Sequence, residues 1–335
     1  MTNGNGQNRD ASQRDASQRD GLSRQGIVRL LPLVLAAWFV VISVMRLALI
    51  VPGGPGFDGR LYRAATVAWL NGGDPWAVSQ GGVYFAAPPP SLIPMIPFAL
   101  LPEGVAIGLL LVLAVGASIW AIRRLEAPIW WLAFPPLVDG IWNANPHVFV
   151  VPLVLAGLGP LAVIVKVYAG VPLLGLLRVR ALLLAAVLIA VSAPFLPWAR
   201  FVNELPTILL QLRLQSDGGL SITALPMPWI LVAGLAATAA LVVIGRERAA
   251  WLAIPVLWPS TQWYYASVAI PSLVRPATSL IAAAILAVPL SQGPLIAIAA
   301  LAVVELVARV GGPIRLGSGI SREPPKRTIE SGDVP

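Results

Sequence analysis

Five stretches of the chain, at about 27–51, 104–122, 181–198, 227–245 and 294–310, are almost wholly apolar. Each approaches the ~20 residues that a helix needs to cross the hydrocarbon core of a bilayer. Hydrophobic residues make up 57% of the 335 and charged residues only 11%, where a soluble domain carries roughly 25%. The chain therefore reads as an all-α polytopic membrane protein. Seven further apolar runs are shorter and are broken by proline or by a polar pair: 128–141, 146–158, 160–167, 169–177, 250–259, 263–274 and 277–290. Irregular backbone at membrane depth is tolerated only where it packs inside protein or lines a wet cavity. The pattern thus predicts about 10–12 transmembrane or re-entrant helices arranged around a cavity.

Residues 1–26 are polar and repeat Arg-Asp-Ala-Ser-Gln from Arg9 to Gln13 and from Arg14 to Gln18. Such a segment buries no core and is expected to be a disordered cytoplasmic tail; no cleavable leader is recognised. The membrane domain is expected over 27–310, with 52–103 as its long external loop, and 311–335 forms a second cytoplasmic tail. The net charge of +8 resembles a nucleic-acid signal, but the basic residues cluster in short connections, where they set membrane orientation. Placing Arg123/Arg124, Arg178/Arg180, Arg246/Arg248, Arg275 and both tails in the cytoplasm leaves Arg46, Arg60, Arg63, Arg200 and Arg213 outside. This predicts a multi-pass cell-membrane protein with both termini cytoplasmic and no nucleic-acid partner. The absence of cysteine excludes a disulfide framework and a thiolate zinc site, and a lone histidine excludes a multi-His centre. No cofactor or metal is expected.

Within the external loop, residues 59–71 place Leu61, Ala65, Val67 and Trp69/Leu70 on roughly one side and Arg60 and Arg63 on another, the pattern of a helix lying on a membrane surface. The Pro88-Pro89-Pro90 run is expected to stiffen the return to the membrane. Asp58 precedes that helix. It reads either as its N-cap or as a general base taking a proton from an attacking hydroxyl, and the two roles are compatible. Lys166, the sole lysine before the C-terminal tail, interrupts an apolar run. An ionisable group at such depth marks a functional site by default, with phosphate as a natural partner; the alternative is snorkelling to a nearby interface. Asn143, Asn145 and His147 cluster in one turn, suited either to holding a sugar or to capping the next helix. Trp258, Gln262, Trp263, Tyr264 and Tyr265 form an aromatic turn, suited to anchoring at an interface or to stacking on sugar rings. Asp139 and Glu305 lie in apolar runs, where each needs a neighbouring arginine or backbone partner. No Gly-rich nucleotide loop or Asp-x-Asp nucleotide-sugar motif occurs.

Four blocks in order over residues 52–265 resemble glycosyltransferase family 87, the polyprenol-phosphate-mannose-dependent mannosyltransferases. They are Asp58-x-x-x-Tyr62 with Gly73-Asp74-Pro75-Trp76; Tyr84 with Ala87-Pro88-Pro89 and Leu101-Pro102; Asn143-x-Asn145 with Lys166-x-Tyr168; and Trp258-Pro259-Ser260-Thr261-Gln262-Trp263. The resemblance implies the C-type glycosyltransferase fold. It also implies transfer of a hexose, mannose in that family, from a polyprenyl-phosphate-sugar donor to a glycolipid or glycan acceptor at the outer face, among membrane lipids and with inversion. Asp58 would be the catalytic base, and Lys166, Arg200 or Arg213 would bind the donor phosphate. Tyr62, Asp74, Asn143, Asn145, His147, Tyr168, Gln262 and Trp263 would hold sugar or acceptor. The competing readings are a transporter or lipid flippase, a non-catalytic membrane subunit of the same fold, and a C-type glycosyltransferase that moves another sugar.

Overall fold

The computed structural model describes residues 30–50, 53–215, 220, 228–258, 261–276 and 278–310, without the side chains of 213–215. The expected tails, the Arg213 side chain and Pro259-Ser260 of the fourth block lie outside the described residues. Helix α1 (Leu30–Ile50) leads to α2 (Phe57–Leu70), a small hairpin of β1 (Ser79–Gln80) and β2 (Val83–Tyr84), and α3 (Ile96–Ala99). Then come α4 (Glu103–Arg124) and four short helices: α5 (Pro135–Trp142), α6 (Val150–Leu155), α7 (Gly159–Val165) and α8 (Gly170–Gly175). The remainder comprises α9 (Val179–Ser192), α10 (Trp198–Gln215), α11 (Trp229–Ile244), α12 (Arg246–Leu257), α13 (Ile270–Leu273), α14 (Ser279–Leu286) and α15 (Gly293–Val310).

Among the described residues, α1, α4 and α15 are long and apolar enough to cross a membrane. The 181–198 and 227–245 runs give the shorter apolar helices α9 and α11. Several of the broken runs are broken at proline. A 3₁₀ turn precedes α5 (Ile129–Ala133), α6 (Pro146–Phe149), α8 (Val167–Ala169) and α13 (Trp263–Ala269). Prolines occupy the first turns of α5, α7 and α13 (Pro135, Pro136, Pro160 and Pro271). There the missing N–H costs no intrahelical bond, whereas deeper in a helix the ring would clash with the preceding turn.

Packing joins these pieces into three apolar clusters. The largest gathers α1, α4, α5 and α11 to α15, and Phe39 of α1 sits among Trp130, Trp131 and Phe134 with centroids 5.6, 5.5 and 5.0 Å away. A second groups α6 to α9 with α12, and a third groups α2, the hairpin and α10 against α4. The outward faces stay apolar: Val34 and Val44 on α1, Val112 on α4, Leu235 and Val242 on α11 and Val303 on α15 are all exposed. Contiguous apolar surface on this scale suits lipid, not water.

Both carboxylates of the apolar runs are paired. Asp139 accepts from Arg46 Nη2 at 3.2 Å, and Glu305 accepts from Arg248 Nη1 at 2.5 Å, which supplies the partners that both carboxylates required. The 53–103 segment differs from its sequence reading. The buried stripe of α2 is Gly59, Leu61, Tyr62, Ala65 and Thr66, and it faces the protein. Arg60 and Arg63 turn to Glu103 at the start of α4 (3.5 and 3.9 Å). The proline run enters a 3₁₀ helix, Pro89–Met95. The connection that carries Arg200 and Arg213 is largely α10, an 18-residue helix that continues through Pro206.

Asp58 is not the N-cap. That position is Gly56, left-handed at φ 80°, and no side chain caps α2. Gly56 N–H donates to the Trp142 carbonyl (2.7 Å), and a Cβ there would stand 2.3 Å from Ile107 Cγ2. Gly56→Ala therefore combines a left-handed alanine with overpacking, each costing about 1–2 and 1–3 kcal/mol. We expect a lower thermal unfolding midpoint in detergent; an unchanged midpoint would contradict this seating of α2.

Candidate functional site

The first turn of α2 is fastened to the 142–145 turn. Gly56 N–H and Gly59 N–H donate to the carbonyls of Trp142 and Asn143 (2.7 and 3.1 Å). This leaves Asp58, the second residue of the helix, beside Asn145. Asn145 Nδ2 donates to Asp58 Oδ2 at 2.8 Å and Tyr264 OH donates to the same oxygen at 3.1 Å. Two donors on one carboxylate oxygen fix the group and leave Oδ1 free to take a proton. Burial pushes the Asp58 carboxyl above its ordinary range, while the Asn145 bond, the Lys166 charge and the Tyr264 bond pull it back toward ionisation.

Lys166 occupies the break between α7 and the 167–169 turn, in extended conformation. Its side chain is buried. Nζ donates to Tyr62 OH at 2.5 Å and stands 4.8 and 5.7 Å from the ring centroids of Tyr62 and Tyr265. None of the five ion pairs among the described residues involves Lys166. A buried ammonium held by a hydroxyl and two ring faces, with the Asp58 carboxylate in the same cavity but not ion-paired to it, is only partly compensated, which primes it for an anion.

Asp58 and Lys166 share one cavity of about 430 Å³. Tyr62, Asn145, Tyr168, Gln262, Tyr264 and Tyr265 line its polar end, and the Tyr168 hydroxyl is buried there without a hydrogen-bond partner. The part of the wall contributed by α10 is apolar: Trp198, Phe201, Leu205, Ile208 and Leu212 project from one stripe of that helix. Among the described residues, no three His, Cys, Asp or Glu side chains gather as a metal-ligand set.

Six sequence-nominated residues thus meet in one place: Asp58, Tyr62, Asn145, Lys166, Tyr168 and Gln262. The others with described side chains do not line this cavity. Asp74 Oδ1 accepts from Trp76 N–H and caps a short turn (3.0 Å). Asn143 Nδ2 donates to Asp139, to its carbonyl at 2.9 Å and to Oδ1 at 3.0 Å. His147 is buried behind Asn145, with Nε2 2.9 Å from Ser267 Oγ. Trp263 Nε1 donates to the Leu286 carbonyl (3.0 Å), and Arg200 donates to the Gly73 carbonyl (2.7 Å) at an exposed position. Tyr264 entered the sequence reading only as part of an aromatic turn for anchoring or stacking; its hydrogen bond to Asp58 was not foreseen. The α10 wall was also missed, although its spacing of three and four residues is a readable helical stripe.

No family model, curated protein or solved structure matches the chain.

Proposed function

We propose that this cavity is the active site of a membrane glycosyltransferase of the C-type fold. The enzyme moves a hexose, mannose on the family resemblance, from a polyprenyl-phosphate donor to a glycolipid or glycan acceptor at the outer face of the cell membrane. The observation that carries the reading is the sharing of one cavity by a fixed carboxylate, a buried ammonium and an apolar wall. A sugar joined to a lipid phosphate needs all three.

In the reaction, the acceptor hydroxyl attacks the anomeric carbon while Asp58 Oδ1 takes its proton. The bond from that carbon to the phosphate oxygen breaks, its electron pair leaves with the phosphate, and the configuration inverts. Lys166 offsets the charge that builds on the departing phosphate, an interaction worth most in a site that excludes water. Asn145 and Tyr264 hold the base, Tyr62 holds Lys166 until phosphate displaces it, and Tyr168 and Gln262 offer hydrogen bonds to the sugar. The isoprenoid chain lies against α10.

Membranes containing the protein are expected to transfer label from polyprenyl-phosphate-mannose and not from a nucleotide sugar when no lipid-linked donor can form. Transfer from the nucleotide sugar alone would overturn the donor class. The pH dependence follows from Asp58. Only its ionised form accepts a proton, and burial raises its pKa. The acid limb of the rate profile should therefore lie above the range of an exposed aspartate, with activity lost as pH falls through it. A flat profile through that region would argue against a carboxylate base.

A further inference from the structure

A second cavity, of about 580 Å³, opens where the α6–α7 turn faces the join of α8 and α9, and it shares no lining residue with the Asp58 site. Gly157, Pro160 and Leu184 form part of its wall, and its charged groups are the guanidiniums of Arg178 and Arg180. Arg178 is held in place: one Nη1–H donates to the Val154 carbonyl at 2.7 Å, and its remaining donors are unspent. Neither arginine takes part in an ion pair among the described residues. The sequence offers no nearby compensation either. From Gly140 to Asn203 there is no aspartate or glutamate, while Lys166, Arg178, Arg180 and Arg200 all fall in that stretch. Two cations sharing one cavity repel each other until an anion stands between them. The guanidinium fork suits phosphate oxygens in particular, and α9 adds the positive end of its dipole at Val179.

The surroundings narrow the anion. Leu184 of the lining is 57% exposed, and Leu158, Leu161 and Leu183, each next in sequence to a lining residue, are 47%, 46% and 61% exposed. A basic recess beside an apolar exterior matches an amphiphile with a phosphate head, and basic pockets between membrane helices bind such headgroups. We propose that this cavity is a binding site for an anionic phospholipid, its phosphate between Arg178 and Arg180 and its acyl chains along Leu161, Leu183 and Leu184.

The test is retention of phosphatidylglycerol by the purified protein, titrated in phosphatidylcholine nanodiscs and read by native mass spectrometry. The wild type should hold one phosphatidylglycerol in preference to phosphatidylcholine. Arg180→Gln, a change at an exposed side chain, should weaken retention about fivefold, and Arg178→Gln by a similar factor. The control is Arg123→Gln, an exposed arginine in the last turn of α4, which should leave retention unchanged. Unaltered retention in Arg180→Gln would overturn the site. Equal loss in Arg123→Gln would show diffuse surface attraction instead. Displacement of the lipid by millimolar glycerol phosphate would reassign the cavity to a soluble phosphate.

Discussion

Asp58→Asn should lose sugar transfer by about 10²–10⁴-fold, the usual contribution of a positioned general base, with an unfolding midpoint equal to the wild type. The substitution is close to isosteric. Both donors to Asp58, Asn145 Nδ2 and Tyr264 OH, meet the same oxygen, Oδ2, and an asparagine carbonyl oxygen can take that place. What is lost is the affinity of the other oxygen for a proton. The change therefore falls on kcat, while donor binding, governed by Lys166 and the apolar wall, is retained. Initial rates in proteoliposomes with a lipid-linked donor, paired with thermal unfolding in detergent, decide the matter. Activity within threefold of wild type would remove Asp58 as the base.

Lys166→Met should slow transfer by about 10²–10³-fold, comparable to removal of one preorganised group that stabilises transition-state charge. Methionine keeps most of the length and removes the charge. Desolvation of the buried ammonium outweighs its attraction to Asp58, so its replacement by an apolar side chain should leave stability unchanged or raise it. A slow enzyme with undiminished stability separates a role in the reaction from a role in folding. Loss of activity together with a large fall in the unfolding midpoint would place Lys166 in the scaffold instead.

The class of fold was legible because apolar length and charge scarcity leave few alternatives, and prolines such as Pro135, Pro146, Pro160 and Pro271 announced the breaks. The meeting of Asp58, Asn145, Lys166 and Gln262 was legible only as a set of separated polar residues, and the structure brings them to one cavity. The misplacements share a physical cause. Asp74, Asn143 and Asn145 are the same kinds of residue in the same kinds of turn, and each bonds local backbone. Asn145 alone also turns an amide outward to another element, because α2 is docked on its turn. Spacing along the chain does not report that docking. Nor does it show that Gly56, with no side chain to signal a cap, begins α2 and releases Asp58 for other work. The α10 stripe, though readable by its spacing, was masked by Pro206 and by Arg200, Asn203 and Glu204, which interrupt the apolar run.

The most direct measurement is a structure of the protein bound to a polyprenyl-phosphate-sugar. The donor phosphate should lie within hydrogen-bond reach of Lys166 Nζ, with Tyr62 displaced. The anomeric carbon should face Asp58, and the isoprenoid chain should run along Trp198, Phe201 and Leu205. A donor seated outside this cavity, or a phosphate on the far side from Lys166, would contradict the account.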